Sequence, residues 1–366
     1  MVNERKIGLD VRMIHHSGIG TTIRGLLDHS SSAQLERLTL FSNSGPPLSY
    51  KSKHIPVPYP IYSLRQHVSY PTILKKHAVS LFHMPHFDVP LFYRGPFIAT
   101  IHDLTHLLFP QHSTKRFSKW YAWTLIRHCA RRARRLIVVS DNTRKDLVHF
   151  FPEAEGKTIT IYPGIDADFK PVQGDPFNHA LKKHSLTPGY LLYVGNLRAS
   201  KNTEGLLAAY AIMREKNPRV PPLVLAGQNF LKKYDQGKFP AGVRALGSVP
   251  REDLPALYSG ASIFIFPSFY EGFGLPPLEA MACGTPVVVS RSASLPEVCA
   301  DAADYVDPNS PSHIAETVLA LMGNPERQNT LRKNGFKNVG RFSWRRFATS
   351  IWKVYDDVLD EMKEEI

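Results

Sequence analysis

The chain has 366 residues, a length that favours two domains, each with a core of its own. Hydrophobic residues make up 43% of it, as in ordinary globular proteins, and no apolar run approaches the roughly eighteen residues of a transmembrane helix, which the sequence therefore excludes. The net charge of +13 leaves nucleic acid, an anionic membrane surface or an anionic small molecule as partners, while three cysteines favour a reducing compartment over a disulfide framework.

The first half of the chain alternates apolar runs with amphipathic ones, which predicts a mostly parallel, doubly wound sheet. The predicted strands are 7–13, 37–41, 79–83, 97–102, 136–140 and 158–162, and the predicted helices are 21–28, 64–77, 115–134 and 142–150. Stretches rich in proline, glycine and serine at 42–49 and 55–61 are predicted loops. A strand pattern begins near residue 6 and no signal peptide is evident, so we expect a cytoplasmic protein.

A glycine-bearing segment, 15–22, follows the first predicted strand. It contains Gly18 and Gly20, but Ile23 occupies the third glycine position of a dinucleotide-binding fingerprint, so that motif is incomplete. A glycine-rich loop at the carboxyl end of a strand still places backbone amides in the crevice where doubly wound sheets bind ligands. The alternative is a tight turn in which one of the two glycines takes a positive φ.

Histidines follow two neighbouring strand candidates. His83, His86, His102 and His106 suggest zinc, but they do not form a compact ligand set with the usual spacing, so we disfavour a metal site. Asp103 either orients His102 or caps the turn that follows it.

The densest basic run, 127–135, extends from Arg127 to Arg135 on a predicted helix that also has an apolar face. Such a helix suits peripheral contact with lipid headgroups, here at the inner face of the membrane. The alternative is a solvated face whose cations complement the helix dipole. No nucleic-acid-binding motif is apparent, so we expect no nucleic acid partner.

The second half repeats the α/β plan. We predict an N-terminal domain at 1–170, a linker at 171–188, a second domain at 189–343 and a final amphipathic helix at 344–366. The loop after the strand that begins near Tyr190 carries Arg198 and Lys201 just before a helix. Two cations at such a junction predict a clamp for a diphosphate, and the alternative is a pair of solvated loop cations.

A second candidate site follows the apolar run 261–266. Gly272 and Gly274 lie between this buried strand and a helix that Gly284 ends, a pattern that suits an anion such as phosphate. Carboxylates repel phosphate, so Glu271 and Glu279 should instead accept bonds from hydroxyls, and phosphates combined with sugar hydroxyls indicate a nucleotide sugar. Alternatively, Glu271 is a solvated loop residue and Glu279 compensates the helix dipole.

The spacing of Glu271, seven intervening residues and Glu279, with Gly-Phe-Gly-Leu inside it, resembles the signature of retaining GT-B glycosyltransferases of family 4. The resemblance implies an α/β fold of two facing doubly wound Rossmann-like domains with a deep interdomain cleft, and a last helix that crosses back to the first domain. It also implies a nucleotide-sugar donor and no metal cofactor. The implied donor-binding residues are Gly18, Gly20, Arg198, Lys201, Val249, Glu271, Gly272, Phe273, Gly274, Leu275 and Glu279.

The same resemblance implies catalytic roles for His102, Lys201 and Glu271. Glu271 would hold hydroxyls of the transferred sugar, Glu279 the ribose and His102 the far side of the sugar, in a front-face substitution assisted by the leaving phosphate. The acceptor side is assigned to His16, His86 and Asp103. One departure is Asn196, which stands where many members carry arginine, so Arg198 would either reach the phosphate from a different angle or not contact it at all.

The segments 9–12 and 17–21 most resemble mannosyltransferases of bacterial surface-polysaccharide assembly. They imply GDP-mannose as the donor and a glycan or lipid-linked glycan as the acceptor. One alternative is a nucleotide-sugar 2-epimerase of the same fold, which needs no acceptor. Another is a non-catalytic nucleotide-sugar-binding partner of a transferase, although Lys201, Glu271 and Glu279 together argue against it.

Overall fold

The computed structural model describes residues 6–43, 49–109, 118–228, 230 and 239–365. The chain divides into two compact units, the first comprising Met1–Gly164 and Ser343–Ile366 and the second Ile165–Phe342. The segment expected to be a linker, 171–188, belongs to the second unit and contains a helix, Gly174–Lys183. Its proline-rich start is held by a bond of 3.0 Å from the Val172 amide to Ser259 Oγ.

The first unit is built on a fully parallel sheet. Within the described residues it has seven strands: β1 Ile7–Asp10, β2 Leu38–Ser42, β3 Lys53–Pro56, β4 Leu81–Met84, β5 Phe97–Ile101, β6 Arg135–Val138 and β7 Thr158–Thr160. Their spatial order is β3-β2-β1-β4-β5-β6-β7, so the strand order reverses direction between β1 and β4. This confirms the predicted doubly wound plan, whose binding crevice lies outside the carboxyl ends of those two strands.

The helices of the first unit are α1 Ser17–Asp28, α2 Ser32–Glu36, α3 Leu64–Lys76, α4 Thr105–Leu108, α5 Ser118–Arg132 and α6 Asp141–Phe150, followed by the 3₁₀ turn Pro152–Lys157. Strand β3 was not predicted, because it is an edge strand in which only Ile55 is buried. Helix α1 begins four residues earlier than expected, so Gly18 and Gly20 lie inside it rather than in a preceding loop. Part of the predicted helix 115–134, residues 115–117, lies outside the described residues.

The last helix, Trp344–Glu364, belongs to the first unit. Its aromatic side chains share a core with Leu9 and Ile98 of the sheet and with α1. Contact with α1 is close enough that a Cβ at Gly25 would lie 2.2 Å from the Trp344 ring. Tyr355 also reaches the sheet, where its hydroxyl lies 2.6 Å from His83 Nδ1.

The second unit has its own parallel sheet. In its described part the strands are β8 Tyr190–Val194, β9 Leu223–Ala226, β10 Val243–Gly247, β11 Ala261–Phe266, β12 Val287–Ser290 and β13 Ala303–Val306. The order β10-β9-β8-β11-β12-β13 reverses between β8 and β11. The helices are α7 Gly174–Lys183, α8 Thr203–Lys216, α9 Leu254–Gly260, α10 Leu275–Ala282, α11 Leu295–Cys299, α12 Pro311–Met322 and α13 Pro325–Val339, and the last helix of the chain is α14 Trp344–Glu364.

The strands of both units are buried because helices cover both faces of a parallel sheet. Strands covered by helices on both faces carry near-continuous apolar sequences, and Ile263–Phe266 and Val287–Val289 have no exposed surface. The three cysteines, Cys129, Cys283 and Cys299, are buried and free. Among the described helices, none combines the length and the apolar composition needed to cross a membrane.

Candidate active site

Lys201 and Glu271 meet at the carboxyl ends of β8 and β11, where the strand order of the second sheet reverses. Lys201 ends a 3₁₀ turn, Ala199–Lys201, and Glu271 lies on the loop between β11 and α10. Lys201 Nζ donates to both carboxylate oxygens of Glu271, at 2.7 and 2.6 Å. The same ammonium lies 5.3 Å from the centre of the Phe266 ring, and both side chains of the pair are largely buried.

Asn202 holds three loops of this site together. It has a φ of +55° and caps α8, since its Oδ1 accepts from the Gly205 amide at 3.2 Å. Its Nδ2 donates to the carbonyl oxygens of Pro267, at 3.0 Å, and Pro308, at 2.6 Å. These contacts join the loops that follow β8, β11 and β13, which fixes where Lys201 lies relative to Glu271. Asn202 was not among the predicted site residues, although an asparagine directly before a helix is a capping signal.

Ser294 supports the glycine-bearing loop from the other side. Its buried hydroxyl lies 3.0 Å from the Glu271 carbonyl oxygen and 2.7 Å from that of Phe273, so its single proton serves one or both of them. Gly274 has a φ of +110°, and a Cβ there would lie 2.8 Å from Leu295 Cδ2. The loop conformation therefore requires glycine at position 274.

Helix α10 starts at Leu275, and two of its first residues are Pro276 and Pro277. Proline has no backbone N–H, so Leu275 and Leu278 supply the amides of the first turn. An anion at this end of the helix would consequently depend on the amides of the preceding loop as well as on the helix itself. The sequence interpretation counted on both the loop amides and the helix terminus, and the two prolines leave the larger part to the loop amides.

Glu279 has a different environment from Glu271. The Tyr258 hydroxyl donates to Glu279 Oε2 at 2.8 Å. Burial raises the pKa of Glu279, and this effect is opposed by the bond from Tyr258 and by the charge of Arg251. Each carboxylate of the motif thus has its own partner. The ammonium of Lys201 bonds to Glu271, and the neutral phenol of Tyr258 bonds to Glu279.

Two other expected donor residues lie near this edge of the sheet. Arg198 is exposed on the loop that carries Lys201, and its backbone amide donates to Asn196 Oδ1 at 3.2 Å. Asn196 therefore shapes the turn at the position where arginine was expected. Val249 follows β10 and is half-buried.

In the first unit, the segment expected to be a glycine-rich loop forms the first turn of α1. A Cβ at Gly20 would lie 2.3 Å from the Ile14 carbonyl oxygen, so this glycine permits close packing, whereas a Cβ at Gly18 would meet open space. Neither glycine has a positive φ, so the tight-turn alternative is wrong. Next to α1, a cleft of about 380 Å³ is lined by Arg12, His16, Asn43 and residues 57–61.

The end of β1 is braced by a buried ion pair that sequence analysis did not identify as structural. Arg12 Nε lies 2.8 Å from Asp10 Oδ2, which also accepts from the Tyr70 hydroxyl at 2.9 Å. Arg12 Nη1 donates to Gln66 Oε1 at 3.0 Å and to the Tyr59 carbonyl at 2.9 Å. The pair fixes the floor of the cleft.

His102 and His86 are both neutral rings in this unit. His102 Nε2 donates to the Pro85 carbonyl at 3.0 Å, which leaves Nδ1 as an acceptor, and burial lowers the pKa of His102. His86 Nδ1 accepts from the Asp88 amide at 3.2 Å, and burial holds the pKa of His86 well below its usual range. Asp103 Oδ1 accepts from the Thr105 amide at 2.9 Å, so Asp103 caps the following turn.

His83 bonds to protein groups on both sides of its ring. Its Nε2 lies 2.9 Å from Thr100 Oγ1, and its Nδ1 bonds to Tyr355 as described above. No cluster of three or more metal-binding side chains occurs among the residues that the structure describes. His83 therefore acts in the core, where it connects β4 to β5 and α14.

The basic run at 127–135 is largely paired with carboxylates. Arg127 and Arg131 lie 3.9 and 3.0 Å from Glu153. Arg134 lies 2.6 Å from Glu365, and Arg135 pairs with Glu361. These contacts favour a structural role for the cluster over the lipid contact that the sequence suggested.

Comparison with known proteins identifies relatives along most of the chain. The family model "Glycosyl transferases group 1" matches residues 176–338, and "Glycosyltransferase Family 4" matches residues 17–169. The O-antigen chain mannosyltransferase B of Escherichia coli is 32% identical over 289 residues, which cover 77% of this chain and 75% of the relative. The D-inositol 3-phosphate glycosyltransferase 2 of Catenulispora acidiphila is 31% identical over 249 residues, covering 63% of this chain and 58% of that protein.

Among solved structures, the sucrose-phosphate synthase from Thermosynechococcus elongatus has a similar fold. It superposes with a TM-score of 0.79 over 98% of this chain and 100% of that one, at 21% sequence identity. At this identity the likeness concerns the fold, and it agrees with two parallel-sheet Rossmann-like domains.

Proposed function

The chain belongs to the group 1 and family 4 glycosyltransferases. We propose that it is a retaining, metal-independent hexosyltransferase with a nucleotide-sugar donor. The observation that carries the proposal is the Lys201–Glu271 pair at the point where the second sheet reverses its strand order. A cation and a carboxylate side by side match a ligand that presents a diphosphate next to sugar hydroxyls.

In this proposal the donor replaces each partner of the pair. Lys201 binds the diphosphate with help from Arg198, and the backbone of Gly272, Phe273, Gly274 and Leu275 surrounds the phosphates and the sugar. Glu271 then accepts bonds from hydroxyls of the transferred sugar. Glu279, steadied by Tyr258, accepts from the ribose, and Val249 contacts the base through its backbone.

The transfer step needs a stabilised leaving group and a correctly placed acceptor. The bond between the sugar C1 and the phosphate oxygen breaks, and its electron pair stays on the phosphate. The acceptor hydroxyl forms a bond to C1 on the same face, and its proton passes to the leaving phosphate oxygen. Lys201 and Arg198 can neutralise the developing charge, which supports a mechanism that requires no metal. His102 Nδ1 would accept a hydrogen bond from a hydroxyl of the sugar.

For the substrates we propose mannose from GDP-mannose and a glycan or lipid-linked glycan acceptor, with His16, His86 and Asp103 on the acceptor side. Support comes from the E. coli O-antigen chain mannosyltransferase B, which is 32% identical. The cleft beside His16 supports the assignment of the acceptor side through its size alone. Because Asp103 caps a turn, its part there would be to position the segment after His102.

The first test is donor binding by calorimetry with GDP-mannose, UDP-glucose, UDP-N-acetylglucosamine and dTDP-rhamnose. We expect GDP-mannose to bind and Lys201→Ala to weaken it. Lys216→Ala is the matched control, because Lys216 forms an exposed pair with Glu316 at 3.1 Å in the same unit. Binding of no donor, or equal effects of the two variants, would contradict the donor site.

The second test measures transfer by the purified chain. Transfer to a mannan oligosaccharide or lipid-linked glycan supports the proposal, and D-inositol 3-phosphate is included because a relative is named for it. Release of a free epimer without acceptor would identify an epimerase. Donor binding without turnover until a second protein is added would identify a non-catalytic partner.

A further inference from the structure

A chain of contacts leads away from Glu279, the carboxylate proposed to hold the ribose. The hydroxyl of Tyr258 donates to Glu279 Oε2 at 2.8 Å, and the ring centres of Tyr258 and Phe169 lie 6.0 Å apart. The guanidinium carbon of Arg251 lies 5.1 Å from the centre of the Phe169 ring. Arg251 Nη2 in turn pairs with Asp166 Oδ2. All five residues belong to the second unit, so these contacts lie within one compact body.

Arg251 lies at the end of the site where a donor has its base. It opens the 3₁₀ turn Arg251–Asp253 after β10, and the carboxyl ends of parallel strands line the ligand crevice of a doubly wound sheet. Under the proposed function the diphosphate lies at the Lys201–Glu271 pair and the ribose at Glu279, so the base extends beyond the ribose. Burial raises the pKa of Glu279, and the charge of Arg251 opposes that rise, which places Arg251 within electrostatic reach of the ribose end.

Both members of the Arg251–Asp166 pair are accessible to a ligand. Their side chains are 44% and 32% exposed, whereas Phe169, on which the guanidinium rests, is buried. The contact between them joins one nitrogen of the guanidinium to one oxygen of the carboxylate. A guanidinium carries five N–H donors in a planar fork, and a carboxylate has two acceptor oxygens. The pair therefore presents hydrogen-bond donors directly beside hydrogen-bond acceptors.

Guanine matches this arrangement better than adenine or uracil does. Its O6 and N7 accept hydrogen bonds, and next to them its N1–H and its N2 amino group donate. The fork of Arg251 fits O6 and N7, and the carboxylate of Asp166 fits the two donors. Because the acceptors and donors adjoin on the base, both residues can bind it while they stay in contact with each other. Adenine and uracil offer each of the two residues only one such bond.

We propose that Arg251 and Asp166 form a side-chain pair that recognises guanine at the base end of the donor site, an inference that rests on the proposed function. Val249 contacts the base only through its backbone in that function, and a backbone group distinguishes bases poorly. The Arg251–Asp166 pair supplies the missing selectivity, because its two side chains match the donors and acceptors of one base. It selects guanosine diphosphate donors whichever sugar they carry.

The test is calorimetry of the full chain with GDP, ADP, UDP and inosine diphosphate (IDP), whose base is guanine without the N2 amino group. We expect GDP to bind about tenfold more tightly than ADP or UDP, with IDP between them. Arg251→Ala should weaken GDP binding about tenfold and UDP binding much less. Asp166→Ala should remove the preference for GDP over IDP, because the carboxylate is the group that accepts from the N2 amine.

Arg327→Ala is the matched control. Arg327 pairs with Asp304 at 2.6 Å in the same unit and is 41% exposed, so its loss should leave all four affinities unchanged. Arg251→Lys keeps the charge but loses the planar fork, so it should also lower the affinity for GDP relative to UDP. Thermal unfolding midpoints verify that the variants fold, and the lysine variant carries the test if the alanine variant does not.

Three results would overturn the assignment of guanine to this pair. One is an Arg251→Ala variant that leaves every affinity unchanged or weakens all four nucleotides equally, since a purely structural ion pair would do so. Another is a wild type that prefers ADP or UDP. If that binding still depended on Lys201, the donor site would stand and only the base would be wrong. The third is binding of none of the four nucleotides, which would refute the donor site and the pair together.

Discussion

Lys201 donates to both carboxylate oxygens of Glu271, so the cation expected to bind phosphate and the carboxylate expected to bind hydroxyls neutralise each other. Under the proposed function a donor separates them by bonding to both, whereas a nucleoside diphosphate without the sugar offers Lys201 a new partner and leaves Glu271 with none. On this proposal the pair favours the complete donor over the product of its cleavage.

We therefore expect Glu271→Gln to bind GDP more tightly than the wild type. Removing a competing pair worth about 1 kcal/mol corresponds to about fivefold in affinity. Transfer should fall by roughly a hundredfold, because the sugar loses an acceptor of its hydroxyls. Calorimetry and a transfer assay measure the two effects, and Glu316→Gln, in the exposed pair with Lys216, is the control. Weaker GDP binding in Glu271→Gln would refute the competition.

The bond from Tyr258 to Glu279 gives a second prediction, on pH. Burial raises the pKa of Glu279 and the phenol partly offsets that rise, so Tyr258→Phe should raise it further. A protonated carboxyl is a poorer acceptor for the ribose. Donor affinity measured at pH 6 relative to pH 7.5 should then fall about threefold more in Tyr258→Phe than in the wild type. Tyr305→Phe, on the far edge strand β13, serves as control, and identical pH profiles would count against the role of Glu279.

The burial of His83 leads us to expect that the fold is sensitive to acid. Burial lowers the pKa of His83 to about 3, so the folded chain holds it neutral while the unfolded chain protonates it near pH 6.5. Its stabilising contribution is thus complete above about pH 6.5 and is lost as the pH falls toward 3. By pH 5 the free energy of unfolding should drop by about 2 kcal/mol on this account.

The measurement is urea unfolding at pH 7.5 and pH 5. His83→Asn should be less stable at both pH values but lose about 2 kcal/mol less between them. His313→Asn, at an exposed position of α12, should behave like the wild type. An unchanged pH dependence in His83→Asn would show that other groups carry the acid sensitivity.

Gly274 gives a prediction on the loop before α10. Alanine there would need a φ of +110° and would crowd Leu295, so Gly274→Ala should cost about 2 kcal/mol of stability or shift the loop. In either case donor affinity should fall. Gly323→Ala is the matched control, because Gly323 has a φ of −81° and its added Cβ would make only ordinary contacts. If the two variants behaved alike, the loop conformation would not matter for binding.

The parts of the fold that were predicted correctly have local causes. Strand β11 is a run of largely buried apolar residues, and Gly274 before α10 could be recognised because only glycine easily adopts its φ of +110°. Strand β3 was missed because an edge strand buries little, and α1 was started too late because glycine was taken to mark a loop. His16 is the N-cap residue of α1, but its side chain makes no capping hydrogen bond. The sequence therefore carries no capping signal that would have placed the start of α1 correctly.

The supports of the candidate site could not be predicted from the sequence. Asn202 contacts Pro308, which is 106 residues away, and Ser294 contacts Glu271, 23 residues before it. Such bonds depend on which strands become neighbours, and a single sequence gives no sign of that. The Lys201–Glu271 contact was likewise expected only as two separate binding residues.

The position of α14 affects the order in which the chain can fold during synthesis. The second unit is one uninterrupted stretch, Ile165–Phe342, whereas the first unit is completed by residues from Ser343 onward. Trp352 and Tyr355 fill the core of the first unit, so a ribosome must release the chain beyond these residues before that core can close. The half made first is therefore finished last, and a nascent chain lacking α14 would expose the apolar face of its first sheet to chaperones and proteases.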